Sequence, residues 1–102
     1  MTREKFIETI QHLENAFYYQ RKQWVIDFFE NELGTLICAL EEDRITPFEE
    51  SIELGSLSYQ VSTVMEIMIP DIKDYNIMKQ VAETIDMRLK TVNEEMKDCN
   101  HK

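Results

Sequence analysis

Apolar residues fall at helical spacing along most of the chain. Phe6, Ile10, Leu13, Phe17, Trp24 and Phe28 lie on one stripe, and Ile7, Tyr18, Val25 and Phe29 form a second row beside it. Residues recurring every three or four positions share a helix face, and two adjacent rows make a face wide enough for more than one neighbour. Thr2 is placed to cap the start, and Glu4 complements the positive end of the helix dipole. The phase holds from residue 6 to residue 28, which predicts one long helix over 3–32. Its weak point is Gln20–Gln23, where polar residues interrupt the stripe. Six of the ten aromatic residues stand between Phe17 and Phe29, so this stretch is the expected anchor of the core.

Gly34 suits a helix C-cap or a kink. Residues 35–43 continue apolar through Leu40 and end in Glu41-Glu42-Asp43, which reads as a short helix or an extension of the first, with a strand as the lesser alternative. Thr46-Pro47-Phe48-Glu49 is the clearest start signal: an N-cap Thr, a Pro in the first helical position and a Glu that closes a capping box. Residues 56–69 fit two periods. Leu57, Tyr59, Val61, Met65, Ile67 and Ile69 alternate as a strand would, whereas Leu57, Val61, Val64, Met65 and Met68 make a helical stripe. Leu54 extends the helical stripe in phase and no second strand is available for pairing, so helix is favoured. Pro70 ends this element, and Asp71 or Asp74 can cap a last helix over 72–98. Tyr75, Met78, Ala82, Ile85, Leu89, Val92 and Met96 repeat at alternating spacings of three and four, a heptad seam. Such a seam suits an intramolecular bundle and a homodimer equally. Residues 98–102 read as a frayed tail.

These elements define an all-α fold: a four- or five-helix bundle whose long N-terminal and long C-terminal helices pack antiparallel. At 102 residues the chain is a single domain with one modest core. Two Gly and two Pro are too few for the turns of an all-β fold. No apolar run reaches membrane-spanning length, and no apolar signal region follows the N-terminus. Cys38 lies in an apolar run and reads as a small core residue; with Cys99 it forms no CxxC pattern, which favours a reduced, cytoplasmic chain.

Charge changes the functional picture. The net charge is −9, and residues 27–66 carry ten carboxylates against the lone Arg44, whereas the flanking segments nearly balance. Direct binding to nucleic acid or to an anionic membrane is therefore disfavoured. The candidate partner-binding residues are Glu41, Glu42, Asp43, Glu49, Glu50 and Glu53 around one short turn, with Asp27, Glu30 and Glu32 as auxiliary charges. Such a patch either keeps a small protein soluble or steers it toward a basic surface on a partner protein. Where that surface handles nucleic acid, the carboxylates can occupy a groove meant for phosphates.

Catalytic and metal chemistry find little material. Neither His12 nor His101 stands three residues after a Glu, as a di-iron bundle requires. Glu8 and His12 sit one turn apart on the polar side of the first helix. No four-ligand zinc spacing and no glycine-rich phosphate loop are present, and Cys38 has no nearby His. No catalytic residue, metal or cofactor is assigned. Of the methionines, Met65, Met68, Met78 and Met96 lie on apolar stripes and read as gap-filling core, while Met87 faces outward.

The expected function is thus non-enzymatic: a small acidic regulator or inhibitor that binds a basic protein, of a kind common among phage and other mobile-element accessory proteins. The alternative is an assembly role through Tyr75, Met78, Ile85, Leu89, Val92 and Met96. If Trp24 anchors the core, Trp24→Ala costs on the order of 3–5 kcal/mol in denaturant unfolding. A Trp24→Ala protein of unchanged stability that has lost its partner would make Trp24 an interface residue instead.

Overall fold

The computed structural model describes residues 1–17, 23, 26–67 and 72–100. Trp24 lies outside them, as do Tyr18, Tyr19, Val25, Met68, Pro70 and Asp71. The described residues form four α-helices and one π-helical segment, with no strand among them: α1 (Arg3–Asn15), the π segment (Ile26–Leu33), α2 (Gly34–Glu41), α3 (Pro47–Ile67) and α4 (Ile72–Asn100). The helical alternative at 56–67 is the one adopted, and α3 runs through Gly55 without a break.

The first helix is shorter than its hydrophobic phase predicts. Thr2 caps it by accepting a hydrogen bond from the Lys5 amide at 3.1 Å. At the other end the amides of Ala16 and Phe17 donate to Leu13 and Glu14, three residues back, which tightens the last turn and closes α1 at Asn15 instead of near 32. The stripe still faces the core: Phe6, Ile10, Leu13, Phe17 and Phe28 are all buried.

The π segment changes the register of the chain from Ile26 onward. Hydrogen bonds to the fifth residue widen the turn, so Phe28, Phe29 and Leu33 all reach the interior. Phe28 and Phe29 meet edge to face at 5.2 Å between ring centroids, and Phe29 packs on Phe17 at 5.6 Å. Gly34 ends the segment where a side chain has little room: a Cβ there would lie 3.1 Å from the Phe29 carbonyl oxygen, five residues earlier. Helix α2 then buries Leu36, Ile37 and Leu40. Cys38 turns out on the opposite side and is exposed, not a core residue, because a helix whose 33, 36, 37 and 40 positions face in must face 38 out.

Two caps position the turn between α2 and α3. The Arg44 amide donates to Ala39 and the Asp43 amide to Leu40, the paired bonds of a Schellman motif. Asp43 takes the left-handed position at φ 53°, which Asp tolerates better than most residues. The predicted capping box opens α3: the Glu49 amide donates to Thr46 Oγ1 and the Thr46 amide to Glu49 Oε1, each at 3.2 Å.

Helix α4 is the spine. At 29 residues it is about 44 Å long, which sets the long dimension of a 48 × 25 × 18 Å molecule. It packs most extensively on α3 and next on α1. The N- and C-terminal helices run antiparallel, as expected: the Met1 amino group donates to Thr91 Oγ1 at 2.6 Å, while His12 shares a groove with Gln80. The core face of α4 carries Met78, Val81, Ile85 and Val92, with Ala82, Leu89 and Met96 half-buried and Tyr75 exposed. It runs to Asn100, two residues past its predicted end.

Beneath that face lies a buried ion pair. Arg88 Nε and Nη2 donate to the two carboxylate oxygens of Glu50 at 2.7 and 3.0 Å, and Nη1 donates to the Met1 carbonyl at 3.0 Å. Both side chains are almost wholly withdrawn from solvent. Removing one partner strands a charge in the interior, so Glu50→Ala is expected to cost about 3–5 kcal/mol in urea unfolding, while Glu50→Leu combined with Arg88→Met recovers most of that loss. An unchanged urea midpoint for Glu50→Ala would remove the pair from the account of stability.

Candidate functional site

The acidic segment separates into structural and free carboxylates. Glu50 is 2% exposed and its two oxygens are taken by Arg88. This corrects its assignment as a partner contact: it sits on the buried face of α3, four residues before Leu54, and no partner can reach it. Asp43 is exposed but committed, since it forms the left-handed turn and accepts a 3.0 Å bond from Arg3, whose guanidinium also donates to the Leu40 carbonyl at the end of α2. Glu49 closes the capping box through one oxygen. Glu42 is exposed and pairs with Arg44. Glu41 and Glu53 are exposed.

The auxiliary charges divide as well. Glu30 is exposed, and its charge adds to burial in acting on Glu14 of α1. Burial is the larger cause and the Glu30 charge the smaller, and both push the Glu14 carboxyl above its usual range. Asp27 accepts a 2.9 Å bond from Gln23 Nε2. With Glu32 it rims a groove of about 340 Å³ between the π segment and α3, floored by Phe28 and Val64 and closed on one side by Tyr59. The groove is mainly apolar with carboxylates at its edge. Periodicity along either helix alone does not reveal it, because the widened π turn sets which residues of 26–33 approach α3.

The seam residues Met78, Ile85 and Val92 are consumed inside the chain, where they pack with Leu54, Leu57 and Val61 in one core cluster. Tyr75 is exposed, and Leu89 and Met96 are half-buried. His12 is exposed, as its polar-face position predicts, and shares a shallow groove with Glu8 and Glu83. Among the described residues no group of three or more His, Cys, Asp or Glu side chains is placed to hold a metal ion. No helix among them is long and apolar enough to cross a membrane.

Comparison with models of known families, with curated proteins and with solved structures found no match to this chain.

The raised Glu14 carboxyl has a consequence for pH. Its charged form is disfavoured in the fold, so the folded protein carries a penalty above the raised pKa that is relieved as pH falls through it toward the ordinary Glu range. Glu14→Gln is therefore expected to raise the melting temperature at pH 7, with the gain shrinking as pH falls toward 4. A gain independent of pH would assign the effect to packing instead of charge.

Proposed function

We propose that this chain is a non-catalytic interaction module, a regulator or inhibitor of the mobile-element accessory type, that recognises a basic surface on a partner protein. The observation that carries this reading is the uneven charge: ten carboxylates and one Arg in residues 27–66 of a chain whose remainder is nearly neutral. Glu41, Glu42 and Glu53 stay exposed near the α2–α3 turn, and Asp27 and Glu32 rim the apolar groove. A field of one sign accelerates encounter with an oppositely charged surface and rejects like-charged ones. A nucleic-acid-handling protein offers such a surface, and carboxylates seated there compete with phosphates. The assembly reading is the weaker one, because Met78, Ile85 and Val92 are already occupied by the chain's own core.

The test uses the triple variant E41K/E42K/E53K, which spares the capping box and the buried pair. Affinity capture from lysate at low salt is expected to retain a basic protein on the wild-type chain, to release it as salt screens the field, and to lose it with the variant at unchanged melting temperature. Equal capture by both chains would overturn the acidic-surface reading.

A further inference from the structure

We propose that the outer face of α3, together with the groove beside the π segment, is a docking site for a basic amphipathic helix of a partner protein. The proposal rests on the reading of the chain as an acidic interaction module and names the surface and the partner's chemistry. The face is apolar where it ought to be polar. Phe48 is 65%, Ile52 55% and Tyr59 75% exposed. At 100° per residue these three point the same way, opposite the buried row of Leu54, Leu57 and Val61. Helix α3 is thus apolar on both sides, whereas a helix with one neighbour layer needs only one such stripe.

Three features suit this face to a helix. Gly55 stands between Ile52 and Tyr59 on the stripe, and a Cβ built there meets nothing within 4 Å, which leaves a gap open to a large side chain from outside. Three of the neighbouring hydroxyls are already engaged: Ser51, Ser62 and Thr63 donate to carbonyls of their own helix at 2.7, 3.2 and 3.1 Å. Tyr59, at the far end of the stripe, also lines the groove with Thr63 and Val64, so the stripe adjoins the groove edged by Asp27 and Glu32.

Charge selects the occupant. Glu49 and Glu53 flank the stripe on the side where Gln60 and the groove carboxylates lie, and the opposite flank carries Ser51, Ser58 and Ser62. A helix with large apolar residues at i, i+4, i+7 and i+11 and Lys or Arg along one edge matches both the stripe and the flank. A second copy of this chain would bring the same carboxylates and a further net charge of −9.

The probe is an 18-residue helical Leu/Lys peptide with that spacing, against a scrambled peptide of identical composition, titrated into the full chain and followed by amide chemical shifts. The amphipathic peptide is expected to bind at least tenfold more tightly than the scramble and to shift Ile52, Gly55, Tyr59 and Thr63. Gly55→Leu fills the gap on an open surface and replaces a poor helix former, so it is expected to raise the melting temperature while abolishing the preference. Equal binding of both peptides with shifts centred on Glu41 and Glu42 would overturn the docking site and leave the acidic-surface reading standing. No binding of either peptide would overturn both. Concentration-dependent shifts at Ile52 and Tyr59 without peptide would make a second copy the occupant and refute the proposal.

Discussion

The bidentate pair between Glu50 and Arg88 ties together three parts of the chain that are far apart in sequence. Glu50 lies in the first turns of α3, Arg88 in the middle of α4, and the third donor of the guanidinium reaches the Met1 carbonyl just ahead of α1. Burying two charges is expensive unless every donor and acceptor is matched and the geometry is good. Here the carboxylate is matched oxygen by oxygen, and the remaining guanidinium nitrogen donates to a backbone carbonyl. Apolar contacts among Leu54, Leu57, Ile85 and Val92 tolerate sliding, but a planar fork on a carboxylate does not. The pair therefore fixes the register of α3 on α4, and the Met1 contact fixes where α1 enters.

That register decides which face of α3 remains outside. With Glu50, Leu54, Leu57 and Val61 turned in, Phe48, Ile52 and Tyr59 are turned out. The Schellman turn at Asp43 and the capping box at Thr46 set where α3 starts, so the charges of 41–53 are distributed by local backbone chemistry before any partner is involved. Asp43, Glu49 and Glu50 are each needed by the fold. The acidic cluster thus supplies caps and a buried pair as well as exposed carboxylates, and only those that face solvent carry charge that can steer.

Much of this is legible from spacing, because most of the helices declare themselves by local rules. Thr46-Pro47-Phe48-Glu49 names its own start, and the stripes of α1 and α4 name their inner faces. Other features escape for identifiable reasons. The heptads 78, 82, 85, 89, 92 and 78, 81, 85, 88, 92 share Met78, Ile85 and Val92, and apolarity alone selects Leu89 over Arg88. Only the approach of Glu50 from another helix turns Arg88 inward. Cys38 misleads because its neighbours are apolar, although the phase of Leu33, Leu36, Ile37 and Leu40 already places 38 outside. The π segment is the harder case: Phe28, Phe29 and Leu33 fit an α stripe well enough to hide a wider turn.

The same division bears on how such a small protein can leave an apolar face of α3 outside its core. A chain of 102 residues has little stability to spare. An apolar face left in water contributes nothing to folding, and it also raises the risk of self-association. Net charge offsets that risk, since like-charged copies repel. On the proposed reading, the excess of carboxylates in residues 27–66 and the apolar outer face of α3 belong to one arrangement: like charge opposes self-association, and the same charge suits a basic helix as the ligand that covers the stripe.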